Sequence, residues 1–131
     1  MAQYADVIEI VAPAQAAPGD LVNITVRIKN LYSDAIGIMV AGALEYGITP
    51  WPGIEFPANS ANVEPGAVAE FSGYFYMPDK GVTIHAYSYY YAVDEYGYGG
   101  WYLDDEMTKV VNVAALTPQV SEFKIADFYK V

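Results

Sequence analysis

Tyrosine is unevenly distributed along this chain. Seven of its 13 tyrosines, Tyr87, Tyr89, Tyr90, Tyr91, Tyr96, Tyr98 and Tyr102, crowd between residues 87 and 102, with Trp101 among them. Successive side chains on a strand point to opposite faces, so an extended segment sends Tyr87, Tyr89 and Tyr91 to one side and Tyr90 to the other. Such a row suits recognition. A phenol ring gives large, stiff contact area at small entropic cost and ends in a hydroxyl, and aromatic faces also stack on sugars. Two readings stand side by side: a contact surface, or a sheet face covered by good strand formers. Within the first, protein contact takes the larger share and carbohydrate the smaller. Residues 94–100 place glycines beside Tyr96, Tyr98, Trp101 and Tyr102 as a recognition loop would, although ordinary hairpin tips look similar.

Asp94 and Glu95, then Asp104, Asp105 and Glu106, supply oxygen ligands of the kind calcium prefers. Calcium needs about six to eight oxygens, and this spacing lacks the EF-hand pattern. A solvated acidic edge that discourages strand pairing explains these residues better. The expected cofactor set is therefore empty, with Asp94, Asp104 and Asp105 the starting points for any calcium site. As strand neighbours, Asp104 and Asp105 are expected on opposite faces, which denies them the paired-carboxylate geometry of a glycosidase.

His85 is the single histidine, and there is no cysteine. That excludes a histidine-pair metal site, thiolate zinc, thiol catalysis and disulfides. Gly97-Tyr98-Gly99-Gly100 has neither a lysine nor a following helix, so it is not a phosphate loop. With no catalytic set visible, the expectation is a protein that is not an enzyme.

The elements that must position these residues are strands. Val22, Ile24, Val26 and Ile28 alternate with Asn23, Thr25, Arg27 and Lys29, giving one core face and one wet face. Further strands are expected over residues 4–11, 36–45, 67–77, 82–92 and 98–113, the last two forming a hairpin. Prolines 50, 52 and 57 limit residues 54–56 to a short edge strand. Abundant Tyr, Val, Ile and Thr, interrupted by Pro and Gly, disfavour long helices. About seven short strands at regular spacing predict an all-β, immunoglobulin-like antiparallel sandwich.

The run Pro18-Gly19-Asp20-Leu21-Val22-Asn23-Ile24-Thr25-Val26-Arg27-Ile28-Lys29-Asn30 resembles the second-strand region of bacterial and archaeal CARDB-type Ig-like surface domains. Val63-Glu64-Pro65-Gly66, Phe75-Tyr76-Met77-Pro78-Asp79, Ile84-His85-Ala86-Tyr87-Ser88-Tyr89-Tyr90 and Lys109-Val110-Val111-Asn112-Val113 follow in the order of that pattern. The resemblance covers about residues 7–113. It implies a non-catalytic spacer or adhesion module of a surface, enzyme-linked or virion protein, and carries over no catalytic residue. The tyrosine density departs from the family pattern.

With 131 residues, the chain fits one domain that buries roughly two thirds of its unfolded surface. Sixteen acidic residues against six basic ones give a net charge of −10, which repels phosphate backbones and anionic headgroups. No nucleic acid and no membrane insertion are expected, since no run approaches the roughly 18 apolar residues of a span. Residues 1–6 lack the basic and apolar regions of a secretory signal. An extracellular surface or virion is the expected setting. Asn23-Ile24-Thr25 is a glycosylation sequon on the outer face of its strand, relevant only after export.

Domain organisation is read as an Ig-like sandwich over residues 1–116 and an apolar tail over 117–131. Phe123, Ile125, Phe128 and Tyr129 in the tail are residues a free segment does not normally expose, so they are candidates for assembly. The expected function is a structural or adhesive module that assembles with copies of itself or with neighbouring modules. The alternative is a carbohydrate-binding module in which Tyr89, Tyr91 and Trp101 stack on sugars, with or without the help of calcium.

Overall fold

The period-two alternation of residues 21–30 is realised as a strand whose even-numbered members are buried and whose odd-numbered members face outward. The computed structural model describes residues 2–114, so the tail reading, with Phe123, Ile125, Phe128 and Tyr129, lies outside the described residues. Eight strands follow in order: β1 (Ala5–Val11), β2 (Gln15–Ala16), β3 (Leu21–Asn30), β4 (Ile36–Glu45), β5 (Ser60–Val63), β6 (Val68–Tyr76), β7 (Val82–Val93) and β8 (Gly99–Val113). They form a three-stranded sheet, β1-β3-β6, and a five-stranded sheet, β2-β8-β7-β4-β5. The pairings are antiparallel except β2 with β8, which is parallel. This is the expected all-β sandwich, with no helix among the described residues.

The core lies between the sheets. Val22, Ile24, Val26 and Ile28 of β3 and Phe71 and Phe75 of β6 face Ile38, Val40 and Leu44 of β4, Val82, Ile84 and Ala86 of β7, and Val111 of β8. Two strands were not visible in the local pattern. β2 has two residues, too few to show a period, and β5 offers only Val63 to the core.

The proline-rich segment after β4 differs from the expected short edge strand. It makes isolated bridges, first to one sheet and then to the other. Ile54 N donates to Gly42 O at 2.9 Å and Leu44 N to Pro52 O at 2.9 Å, on the β4 edge. One residue on, Tyr74 N donates to Glu55 O at 2.9 Å and Glu55 N to Tyr74 O at 3.2 Å, on β6. Pro50, Pro52 and Pro57 offer no N–H to a continuous ladder, so the segment closes one side of the sandwich by switching sheets.

Phe56 of this segment enters between the sheets at Gly42 and Gly73. A methyl group on Gly73 would lie 2.5 Å from Phe56 Cε1 and 2.9 Å from Glu55 O, and one on Gly42 would lie 3.1 Å from Phe56 Cε2. The two glycines make the room that the ring occupies.

Candidate functional site

The outward face of the five-stranded sheet carries the aromatic row. Tyr87, Tyr89 and Tyr91 of β7 alternate with the inward Ala86, Ser88 and Tyr90. Across the ladders, Tyr89 sits between Met39 of β4 and Leu103 of β8, while Tyr91 faces Trp101. Trp101 lies over Gly37 of β4, whose missing side chain leaves space 3.3 Å from Trp101 Cη2. Tyr91 packs edge-on against Trp101, with centroids 5.3 Å apart and planes at 74°. Leu103, Tyr91 and Trp101 remain 62%, 45% and 40% exposed, so the patch is a surface and not a second core.

The other candidate residues separate from this row. Tyr102 pairs with Tyr90 and stacks on it at 5.7 Å, at the end of the sandwich. Tyr96 and Tyr98 project from the hairpin tip, where Asp94 Oδ1 accepts both of their N–H groups at 2.9 Å. The sequence placed eight aromatics in one neighbourhood, and the sheet divides them among three.

Below the row lies a charged aromatic group that the sequence did not reveal. His85 Nδ1 is 2.7 Å from Glu106 Oε2, and His85 Nε2 is 2.8 Å from Glu45 Oε1. Carboxylates only accept, so both contacts are satisfied together by the imidazolium form. Trp51, from the proline-rich segment, stacks on the imidazole at 4.4 Å and 24°, and Tyr87 flanks it at 6.4 Å. Burial alone would lower the His85 pKa; the hydrogen bonds His85 donates to Glu106 and Glu45, with the charges of those carboxylates, outweigh it and raise it. Burial, Glu106, Tyr89 and Glu45 together raise the Tyr87 phenol, keeping it neutral.

A raised histidine pKa fixes the sign of a pH effect. The stabilisation is complete below about pH 6.5, the unfolded value, and is lost as pH rises through the higher folded value. Glu45 and Glu106 are 48% and 47% exposed, which limits the expected loss to about 1 kcal/mol. Denaturant midpoints of wild type and His85→Gln, measured from pH 6 to 9, are expected to converge as pH rises. Parallel curves would show that the charged pairings contribute nothing.

Asp104 and Asp105 do not diverge as strand neighbours should. Ser88 pairs with Asp105 but Tyr89 pairs with Leu103, so Asp104 is the extra residue of a bulge. Both carboxylates turn to β1. Asp104 accepts N–H bonds from Gln3 at 2.8 Å, Tyr4 at 2.8 Å and Ala5 at 2.6 Å, and Asp105 accepts from Val7 at 3.0 Å. Ser88 Oγ donates to Ala5 O at 2.6 Å and accepts from Asp105 N at 3.1 Å. Side chains thus satisfy the outer edge of β1 in place of a strand.

Asp6 joins this group. Burial, then the charge and hydrogen bond of Asp105 and the charge of Asp104, raise its pKa, partly offset by Lys29. Asp94 lies at the tip, one residue past the end of β7 and five residues beyond Tyr89, or roughly 16 Å away. Among the described residues, no group of three or more acidic or histidine side chains is arranged to hold a metal. Asn23 of the sequon is exposed on the outer face of β3.

No protein-family model and no curated protein sequence matches the chain. Solved structures do. One is the part of Escherichia coli alpha-2-macroglobulin from domain MG7 to the C-terminus, with TM-score 0.59 and 20% identity over 85% of this chain and 17% of that one. A second is a CARDB domain from Pyrococcus furiosus, solved in complex with di-metal ions, with TM-score 0.56 and 15% identity over 86% of this chain and 90% of that one. A third is an alkylpurine DNA glycosylase of Pseudomonas fluorescens bound to DNA containing an abasic site analog, with TM-score 0.56 and 10% identity over 83% of this chain and 30% of that one. The chain therefore spans less than a third of the first and third of these. At such identities the fold alone is shared, and it is the CARDB-like sandwich that the Pro-Gly-Asp strand pattern implied.

Proposed function

We propose that the chain is a non-catalytic structural module that assembles with copies of itself, in a surface, filament or virion setting, through the outward aromatic face of its five-stranded sheet. The observation that carries this reading is the row of half-buried Tyr89 and exposed Tyr91, Trp101 and Leu103 on a sheet whose other face is already committed to the core. Isolated exposed apolar side chains are ordinary, but a contiguous patch on a rigid face is what protein contacts use. Ring orientation favours protein over sugar. Tyr91 stands edge-on to Trp101, and Trp51 and His85 cover each other, so few ring faces are free to form a flat stacking platform.

Sedimentation of the full chain tests this. Concentration-dependent association is expected, weakened about tenfold by Leu103→Asp, which places a charge in an apolar contact. Association should strengthen with salt, because screening reduces the repulsion between molecules of charge −10. Monomers at every concentration and salt would exclude self-assembly. Calorimetric titration with polysaccharides decides the carbohydrate alternative, which requires heat that Trp101→Ser removes.

A further inference from the structure

At the end of the sandwich where β1 begins and β7 finishes, three tyrosines from three separate elements meet. Tyr4 lies edge-on to Tyr32 of the β3–β4 connection, with centroids 5.0 Å apart at 75°, and edge-on to Tyr90 of β7, 4.9 Å apart at 82°. They line a cleft of about 260 Å³ together with Ile36, Tyr91 and Val93.

The backbone beneath the cleft is tied down. Tyr4 N donates to Asp104 Oδ2 at 2.8 Å, and Leu31 N donates to Tyr4 O at 2.7 Å. Buried Asn30 accepts from Tyr32 N at 2.7 Å and donates to Asp34 O and Val63 O, both at 2.9 Å. A site held this way spends little ordering entropy on binding.

The connections at this end of the sandwich are acidic. The segments meeting at this end, residues 2–4, 31–35, 64–67 and 94–98, carry Asp34, Glu64, Asp94 and Glu95 and no lysine or arginine. An aromatic lining attracts cations through the ring quadrupole, and acidic connections nearby favour cations over anions.

We infer that this cleft receives a lysine or arginine side chain of a protein partner, a contact that shares Tyr91 alone with the aromatic row on the outward face of the sheet. The alkyl stem would lie along Ile36 and Val93, with the charged head against the tyrosines.

The probe is the peptide Gly-Arg-Gly-Lys-Gly, titrated into the full chain while tyrosine ring signals are followed by NMR. Shifts are expected on Tyr4, Tyr32 and Tyr90. Tyr32 is 39% exposed, so Tyr32→Leu should fold, as an unchanged denaturation midpoint would verify. That variant should weaken binding about tenfold, whereas Tyr32→Phe, which keeps the ring, should stay within about twofold. Binding should weaken with added salt, opposite to self-association through the sheet face, so either idea can fail alone. Equal binding of a peptide with citrulline and norleucine replacing the cations would overturn the inference. So would indifference to Tyr32→Leu, which would leave only diffuse attraction, or free arginine binding as tightly as the peptide, which would remove the polypeptide source.

Discussion

Gly73→Ala is expected to destabilise the protein by about 2 kcal/mol, read as a drop in the urea midpoint with little change in slope. The position looks tolerant, because alanine relieves glycine's entropic cost in a strand by roughly 0.5–1 kcal/mol. Sterics decide the sign. The added carbon would meet the Phe56 ring at 2.5 Å and, at 2.9 Å, the Glu55 carbonyl oxygen, which is fixed in the bridge to Tyr74. Phe56 has little room on its other side, where a methyl group on Gly42 would lie 3.1 Å from its Cε2. Overpacking of this kind typically costs about 1–3 kcal/mol. The pair Gly73→Ala with Phe56→Leu should be less destabilised than the sum of the single changes, since the smaller side chain vacates the contested space. Strict additivity would show that Phe56 is not what the glycine accommodates.

Asp104→Ala is expected to cost more, about 3 kcal/mol. One carboxylate serves three backbone donors, those of Gln3, Tyr4 and Ala5, and hydrogen bonds to charged groups contribute roughly 1.5–3 kcal/mol each when shielded, less where they are partly exposed as here. Its removal frees the start of β1, which packs against β8. Asp104→Asn keeps one acceptor oxygen and should lose about half as much. Hydrogen exchange separates this from general destabilisation: the amides of Tyr4 and Ala5 should lose protection before those of the β3 centre. Uniform loss across both strands would mean that the carboxylate does not strap the edge.

These two residues show where local reading stops. The period-two pattern placed Tyr87, Tyr89 and Tyr91 on one face and Tyr90 on the other, and the sheet keeps that division. The same rule sent Asp104 and Asp105 to opposite faces and fails there, because a bulge inserts one residue and turns both carboxylates toward β1. Nothing in the sequence around residue 104 marks the bulge, whose use is to satisfy donors about a hundred residues earlier in the chain. Tyr102 likewise shares a sequence cluster with Trp101, yet it belongs with Tyr90 and so leaves the exposed row.

By itself the sequence determined that this chain is an all-β sandwich with a core stripe along each main strand, an acidic surface and an aromatic final hairpin. Those properties follow from composition and from a two-residue period, and both are local. Only the tertiary structure decided that Trp51 covers His85 between Glu45 and Glu106, that Phe56 sits between Gly42 and Gly73, and that Tyr4, Tyr32 and Tyr90 share a cleft. Each of these groupings joins residues from separate strands or connections. Which of them meet depends on strand register and on how the two sheets are stacked and closed, quantities that no short window of sequence encodes.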